Sequence, residues 1–416
     1  MTGNGTGHSW PDNRLVGFAA RIPLPQALAW IDVHLSALGP ETVDVEAAFG
    51  RTVTAPCVSQ VDWPAADAAA VDGYAVRAID SEGASSYNPL LLALVGASAG
   101  ALPPDSAFLT AAGTLLPLGA DAILPFDSAQ QGVTQQGGAA VLEVLAPVAR
   151  GVGVDRCGGG LRAGMAAIPG SRRLRPQDIA LLTATGVTRI AVVRRPRVRL
   201  VVAGPKAAGH DVLTPMLCLL IARDGGCVEV SPPADAGRTA LAQAMARPAT
   251  GIDLVLVAGR CGVGLDDEAP LAVTAAGGRL DAHGIALRPG GSSGLGRMGD
   301  VPVLLLPGTP LACLAAYDML AARAVRRLAG CLAASPYCVV DAALDRKIVS
   351  AIGFTDVVRV RLAGRRAAPM GSAESGGIAG AVRADGFVVV PEASEGHAPF
   401  SVVRVHRYDR CAENGA

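Results

Sequence analysis

Between residues 196 and 330, short apolar runs alternate with longer segments of helical periodicity. The apolar runs are “RVRLVVAG”, “CVEVS”, “IDLVLVAG” and “VPVLLLPG”. Strands buried on both faces read as continuous Val, Leu and Ile runs, and their alternation with helices is typical of a parallel sheet. The sequence therefore predicts an α/β domain whose central parallel sheet is covered by helices on both faces.

The flanking segments follow other patterns. Residues 57–150 contain short β-like runs separated by Gly and Pro, and alternating runs such as “DVVRVRLAG” return after residue 331. “LPQALAWIDVHLSAL” and “RPQDIALLTATG” predict helices, each with Pro near its start. Residues 52–62 predict a strand.

These patterns indicate a mixed α/β and β multidomain chain with an elongated subunit. The expected parts are a flexible leader 1–19, a discontinuous linking domain 20–56 and 151–195, a small mostly-β module 57–150, the α/β domain 196–330, and a C-terminal β domain 331–416. A length of 416 residues agrees with about two to four domains.

Composition excludes several classes of protein. Thirty-six basic and thirty-six acidic residues balance to a net charge of +0, so no nucleic-acid surface is expected. Nine cysteines without a C-x-x-C pair do not indicate a disulfide framework or a structural zinc site. The start, “MTGNGTGHSWPDNR”, lacks the apolar region of a signal peptide, and no apolar run suits a membrane span. We expect a cytoplasmic protein without a membrane partner.

The segment “GRCGVGLDDEAP” (259–270) combines glycines and carboxylates directly after an apolar run. Ligands of parallel sheets bind beyond the carboxyl ends of the strands. Glycine amides can approach a phosphate, and a metal ion would let the acids lie beside it. The other interpretation is a turn without a ligand. The segment lacks G-x-G-x-x-G, which disfavours a dinucleotide-binding dehydrogenase.

“LPGTP” (306–310) follows another predicted strand of the same sheet. Gly308 and Thr309 could offer an amide and a hydroxyl to a phosphate, or Thr309 could only cap the next helix. Two glycine loops at strand ends of one sheet favour a shared pocket. Elsewhere, “VVAGPKAAGHD” (201–211) has the glycine spacing of a phosphate-binding loop but ends in His210 and Asp211 instead of Lys and Ser or Thr, so it is not one.

Taken in order, several segments resemble the molybdopterin molybdenumtransferase family (bacterial MoeA and the gephyrin C-terminal domain). They are “DWPAADAAAVDGYAVRAID”, “LLPLGADAILPFD”, “GVTRIAVVRRPRVRLVVAG”, “GRCGVGLDD”, “ALRPGG” and “LLLPGTPLACLAAYDML”. The resemblance covers residues from about 20 to 405 and implies that the α/β domain is molybdopterin-binding-like.

The resemblance implies insertion of molybdate into adenylylated molybdopterin, with release of AMP and help from Mg²⁺. It implies catalytic roles for Asp72, Asp127 and Asp267, with Asp72 and Asp267 also binding the metal. The implied substrate-binding residues are Gly259, Arg260, Gly262, Gly264, Arg288, Pro307, Gly308 and Thr309. It also implies a homodimer, an upstream molybdopterin adenylyltransferase and a recipient molybdoenzyme. From the residues alone, Asp72 and Asp127 could equally be turn formers.

The motifs depart from the family pattern mainly at charged positions. Gly158–Gly160 replace a Gly-Glu-Asp, Pro205 and Lys206 replace two acids, and Gly291 stands where the family has the second Lys of Lys-Pro-Gly-Lys-Pro. Lost acids weaken a magnesium-dependent step, because hard cations need oxygen ligands. Arg260 and Lys206 could instead clamp a phosphate. The alternative hypothesis is therefore an impaired homologue that binds molybdopterin or the finished cofactor and delivers it to a molybdoenzyme. The sequence does not distinguish molybdenum from tungsten.

Overall fold

The chain divides into two compact units. The computed structural model describes residues 11–96, 100–133, 140–203, 210–233, 235, 237–247, 251–331 and 335–409. The first unit comprises Met1–Glu41, Gly50–Thr52 and Val192–Ala416, and the second comprises Thr42–Phe49 and Val53–Ala191.

Within the described residues the helices are α1 Leu24–His34, α2 Pro176–Ala184, α3 Leu213–Arg223, α4 Arg238–Ala246, α5 Ala269–Ala275, α6 Pro310–Ala316, α7 Ala322–Leu328 and α8 Gly377–Arg383. The two helices predicted from named segments are present as α1 and α2. A π-helical segment, Tyr317–Ala321, joins α6 to α7. Among the described helices, none is long and apolar enough to cross a membrane.

The strands are short and distributed over both units. Within the described residues they are β1 Pro40–Asp44, β2 Cys57–Val58, β3 Ala68–Ala69, β4 Gly73–Val76, β5 Leu90–Val95, β6 Ser106–Thr110, β7 Ala122–Leu124, β8 Ala129–Val133, β9 Ala140–Val144, β10 Val154–Asp155, β11 Ala166–Ile168, β12 Arg189–Val193, β13 Arg197–Val202, β14 Cys227–Val230, β15 Leu254–Ala258, β16 Arg279–His283, β17 Leu287–Arg288, β18 Gly294–Met298, β19 Val301–Leu306, β20 Cys338–Leu344, β21 Ile348–Val349, β22 Thr355–Ala363, β23 Arg366–Pro369, β24 Gly386–Val390, β25 Gly396–His397 and β26 Val402–Arg407.

The central sheet of the first unit has the order β14-β13-β15-β19-β18-β16. β14, β13, β15 and β19 are parallel, which confirms the predicted parallel sheet. β18 and β16 add an antiparallel edge that the sequence did not predict. Mixed sheets of this kind often have an antiparallel edge on a parallel core.

Successive side chains of β15 enter two different hydrophobic cores. Leu254 and Leu256 pack in a core shared with α1, α3 and α7. Val255 and Val257 pack in the other core, with α4 and α5. Because side chains alternate along a strand, these two cores lie on opposite faces of the sheet. Helices therefore cover both faces, as predicted.

The C-terminal part of the first unit is a small closed barrel. β22 pairs with both β23 and β24, and the ring continues through β20 and β26. Inward-facing valines such as Val358, Val388 and Val405 form its core.

The second unit contains a six-stranded sheet with the order β7-β4-β6-β5-β9-β8. Its core includes Tyr74, Leu92 and Leu142. The predicted strand over residues 52–62 is wrong, because only Cys57 and Val58 form one. Pro56 has no N–H to donate, and the Ser59 hydroxyl closes a turn by donating to the Val61 carbonyl at 2.7 Å.

Candidate functional site

Two glycine-containing loops begin side by side at the carboxyl ends of β15 and β19. Ala258 lies opposite Leu306 in the sheet, and the Gly259 amide donates to the Leu306 carbonyl at 2.9 Å. A Cβ added to Gly308 would lie 3.1 Å from the Gly259 Cα. The backbones approach closely enough that glycine at position 308 is the residue that fits.

Both loops line a cavity of about 860 Å³ in the first unit. Of the residues predicted to act in the site, those lining it are Arg260, Gly262, Asp267, Pro307, Gly308 and Thr309. The other lining residues are Phe18, Arg21, Cys261, Val263, Pro289, Gly290, Gly291, Ser292, Pro310, Leu311, Ala312, Glu374, Gly377 and Ile378. Gly259, Gly264 and Arg288 are not among the lining residues.

Of the three consecutive acids after β15, Asp267 faces the cavity. Its Oδ2 atom accepts a hydrogen bond from the Gly264 amide at 2.7 Å. A Cβ on Gly262 would lie 2.6 Å from the same oxygen. Gly262 therefore leaves space for this carboxylate, and Gly264 fixes its orientation.

The neighbouring acids have different surroundings. Asp266 is 81% exposed and pairs with Arg260 at 3.4 Å. Glu268 is held between Arg238 at 2.7 Å and Arg14 at 2.5 Å. The hydrogen bond from Arg238 lowers the pKa of Glu268 below its usual value. Glu268 therefore stabilises the loop through its two ion pairs, whereas Asp266 is exposed.

The loop after β15 depends on two left-handed backbone conformations. Gly259 has φ +95° and Arg260 has φ +54°. Glycine adopts this region freely, whereas arginine does so at a cost in free energy. The Arg260 carbonyl accepts from the Ala269 amide at 2.9 Å, which ties the loop to the start of α5.

A buried cysteine and a buried histidine stabilise this loop through hydrogen bonds. The Cys261 thiol donates to the Leu306 carbonyl at 3.1 Å, and burial raises its pKa to about 12. His283 Nε2 donates to the Cys261 carbonyl at 2.8 Å, and burial lowers its pKa. Cys261 is consequently a neutral thiol rather than a nucleophile.

The segment before α1 packs against the same loop. Leu15 donates its amide to the Val263 carbonyl at 2.7 Å, and Asn13 Nδ2 lies 3.4 Å from His283 Nδ1. Residues 11–19 of the predicted flexible leader 1–19 are described, and Leu15 and Asn13 among them contact the site, but the leader itself stays a prediction. Residues 1–10 lie outside the described part of the chain.

Two lining residues from this region, Phe18 and Arg21, were missed by the sequence interpretation. The Arg21 guanidinium lies 4.6 Å from the Phe18 ring centroid and 5.7 Å from that of Phe354. No local motif marks them, because their neighbours in the cavity are distant in sequence.

Thr309 is at the N-cap position of α6, but its side chain makes no capping hydrogen bond. Its backbone carbonyl accepts from the Cys313 amide at 2.8 Å. Thr309 is exposed and is one of the residues that line the cavity. The simple N-cap interpretation is therefore wrong for its side chain.

Arg288 has a carboxylate partner in the described residues. It donates from Nε and Nη2 to the two oxygens of Asp356 at 2.7 Å each, and lies 4.9 Å over the Phe354 ring. Its predicted contact with substrate stays a prediction.

Asp72 and Asp127 belong to the second unit, whereas Asp267 belongs to the first. Asp72 is exposed and accepts from the Ala112 amide at 2.8 Å. Asp127 is also exposed and accepts from the Ser128 hydroxyl at 3.2 Å. A Cβ on Gly73 would lie 2.5 Å from the Leu124 carbonyl oxygen, which explains the Asp-Gly-Tyr order.

The described residues do not form a metal cage by themselves. In the ranges given above, no group of three or more His, Cys, Asp or Glu side chains is placed to hold a metal ion. Asp211 accepts from the Leu213 and Thr214 amides at 3.1 and 3.0 Å, so it serves the start of α3. Pro205 and Lys206 lie outside the described residues.

The chain matches three family descriptions in succession. These are “MoeA N-terminal region (domain I and II)” over residues 22–186, “Probable molybdopterin binding domain” over 189–327, and “MoeA C-terminal region (domain IV)” over 341–407. The cavity loops lie in the second of these matches. Together the matches define a multidomain protein of the MoeA class.

Similar proteins agree with this assignment. A molybdopterin molybdenumtransferase 2 from Mycobacterium tuberculosis is 28% identical over 68% of this chain and 74% of its own. A molybdopterin molybdenumtransferase from Staphylococcus aureus is 24% identical over 90% and 93%. The crystal structure of a molybdopterin biosynthesis moeA protein from Pyrococcus horikoshii superposes with a TM-score of 0.72 at 26% identity, covering 94% of this chain and 100% of that one. The chain belongs to the molybdopterin molybdenumtransferase family.

Proposed function

We propose that this chain inserts molybdate into adenylylated molybdopterin and releases AMP during molybdenum cofactor biosynthesis. The observation that supports this most directly is the cavity at the ends of β15 and β19. There Asp267 and the Thr309 hydroxyl lie beside glycine loops that a phosphate can approach. The matched molybdopterin-binding region and the names of the relatives point to the same substrate.

In the proposed reaction, water cleaves the phosphoanhydride, giving AMP and the phosphate of molybdopterin. The two dithiolene sulfurs bind molybdenum, and one molybdate oxygen leaves as water with the two thiol protons. Asp267 would orient the attacking water, because Gly264 holds its carboxylate in one direction. The glycine loops would leave the substrate phosphates close to the backbone.

Mg²⁺ belongs to the proposal as a helper of phosphate cleavage. This ion usually binds one or two protein carboxylates together with substrate phosphates and water. Asp267 supplies one carboxylate at the cavity, so a metal held largely by substrate fits the described residues better than a protein cage. When bound, the ion would neutralise phosphate charge.

We also propose a homodimer in which the Asp72 loop of a partner chain completes the site. The exposed position of Asp72 supports this, because its carboxylate remains accessible to a ligand. A mixture of Asp72→Asn and Asp267→Asn chains should then recover activity that neither variant has alone. Monomers by sedimentation, or no recovery in the mixture, would contradict the dimeric site.

The alternative proposal is a homologue that binds molybdopterin or the finished cofactor and delivers it to a recipient molybdoenzyme. The small number of carboxylates at the cavity supports it. One experiment separates the two: incubate the full chain with adenylylated molybdopterin, molybdate and Mg²⁺, and measure AMP release and molybdopterin binding together. Insertion with AMP release supports the enzyme, and binding without insertion supports delivery. If the chain shows neither AMP release nor molybdopterin binding, both proposals are wrong.

A further inference from the structure

Arg21 provides a positive charge in the cavity that the family motifs do not mark. Its guanidinium stacks on Phe18 at 4.6 Å, and both residues line the cavity. Within the described residues, Arg21 forms no ion pair with a carboxylate. An exposed, stacked guanidinium keeps its hydrogen-bond donors available for an anion.

Arg260, which also lines the cavity, and the nearby Arg14 and Arg288 have carboxylate partners. Arg14 pairs with Glu268, Arg260 with Asp266, and Arg288 with Asp356. Asp267 and Glu374 add negative charge to the lining. A phosphate entering this cavity therefore needs a cation, and of the two arginines in the described lining, Arg21 is the one whose charge is not already matched by a described carboxylate.

The position of Arg21 coincides with a gap in the sequence motif. A Cβ built on Gly291 would lie 3.5 Å from Arg21 Nε. The sequence comparison above places a lysine of Lys-Pro-Gly-Lys-Pro at residue 291. The positive charge that the family motif has at position 291 is therefore absent there, and Arg21, from the segment before α1, places a positive charge beside that position.

We propose that Arg21, held against Phe18, binds the phosphate group of molybdopterin. The planar guanidinium can donate two parallel hydrogen bonds to phosphate oxygens, which a lysine cannot do. This inference rests on the proposed molybdopterin site. It makes Arg21 a substrate-binding residue contributed by the segment before α1.

The test is anaerobic calorimetric titration of molybdopterin into the full chain and its variants, at two salt concentrations. Arg21→Ala should bind about tenfold more weakly, and its affinity should depend less on salt, because a charged contact is lost. Arg21→Lys should lose about threefold, since it keeps the charge but not the planar fork. Arg21→Ala combined with Gly291→Lys should regain most of the affinity. Arg365→Ala, at an exposed arginine that does not line the cavity, should match the parent chain.

The outcomes separate this inference from the proposed function. If the parent chain binds molybdopterin and Arg21→Ala binds equally well, Arg21 does not bind the phosphate, and the proposed function stands. A weaker variant with unchanged salt dependence would give Arg21 a structural role and overturn the inference. A parent chain that does not bind molybdopterin would overturn both. Thermal unfolding of each variant verifies that it is folded.

Discussion

Two regions of the first unit differ in how many hydrogen-bond donors surround their carboxylates. In the buried network, each carboxylate accepts hydrogen bonds from more than one side chain. The network comprises Asp224, Arg223, Arg326, Asp318, Tyr317 and Tyr337. Asp224, 2% exposed, accepts from Arg326 at 3.0 Å, Arg223 at 2.8 Å and the Tyr317 hydroxyl at 3.1 Å. In the β15 loop (residues 259–268), Asp267 accepts from one backbone amide.

The difference shows which acids hold the fold and which can act on a ligand. A buried charge is tolerated when partners satisfy it, so the network around the π-helical segment is structural. The carboxylate of Asp267 lies at a cavity and keeps capacity for water, metal or substrate. Substitutions in the network should therefore change stability, and substitutions in the loop should change chemistry.

The largest expected effect is on stability, from Asp224→Ala. Removing this carboxylate takes away the negative charge beside the buried guanidinium of Arg326, and the free energy of unfolding should fall by about 3–5 kcal/mol. Urea unfolding measures the change. The control is Asp345→Ala, which removes an exposed pair with Arg366 and should cost less than about 1 kcal/mol. Equal losses in both variants would contradict the distinction.

Gly262→Ala should affect chemistry more than stability. Its new Cβ would lie 2.6 Å from Asp267 Oδ2 and displace that carboxylate. We expect insertion to slow about tenfold, which is about 1.4 kcal/mol of activation free energy. Gly39→Ala is the control, because a Cβ there meets no atom within 4 Å. An unchanged insertion rate in Gly262→Ala would show that the orientation of the Asp267 carboxylate does not affect the reaction.

Stability should also respond to pH through Asp318 in the buried network. Burial raises the pKa of Asp318 to about 6, so the folded state holds its proton more tightly than the unfolded chain. Its contribution to the free energy of unfolding is fully present below about pH 4. That contribution is lost as the pH rises through about 6, at up to about 1.4 kcal/mol per pH unit. Asp318→Asn should remove this component from urea unfolding between pH 4 and 7. Parallel pH profiles for parent and variant would show that Asp318 does not titrate in this range.

The smallest expected effect comes from Arg260→Ala in the β15 loop. Arg260 pairs with the exposed Asp266, so solvent screens its charge. Molybdopterin binding should weaken by no more than about fivefold, the equivalent of about 1 kcal/mol. Calorimetric titration at low and high salt measures it. A loss as large as that of Arg21→Ala would show that both arginines bind the same anion.

Much of the fold could be predicted because each parallel strand is a separate apolar run. β13, β15 and β19 lie within the apolar runs “RVRLVVAG”, “IDLVLVAG” and “VPVLLLPG”. The antiparallel edge was not predictable in the same way, because β18 contains Gly294 and Gly296 and lacks a continuous apolar run. The predicted domain boundaries stay predictions, and limited proteolysis would test them.

The candidate site was predictable only where a local pattern encodes it. The loops after β15 and β19 follow strands, so Asp267 and Thr309 could be placed at one edge of the sheet. Asn13 and His283, by contrast, are 270 residues apart in the sequence, and no local pattern joins them. Arg21 was missed for the same reason, since only the fold brings it beside Gly291.

In the proposed function, Asp267 acts on the substrate while its neighbours maintain the loop. The most direct measurement is the molybdate-insertion rate of Asp267→Asn beside Asp300→Asn, an exposed acid in the turn between β18 and β19. Asp267→Asn should lose about a hundredfold in rate, about 3 kcal/mol, with unchanged thermal unfolding, because it removes charge and keeps shape. Asp300→Asn should match the parent chain. Insertion by Asp267→Asn at the parent rate would contradict the account.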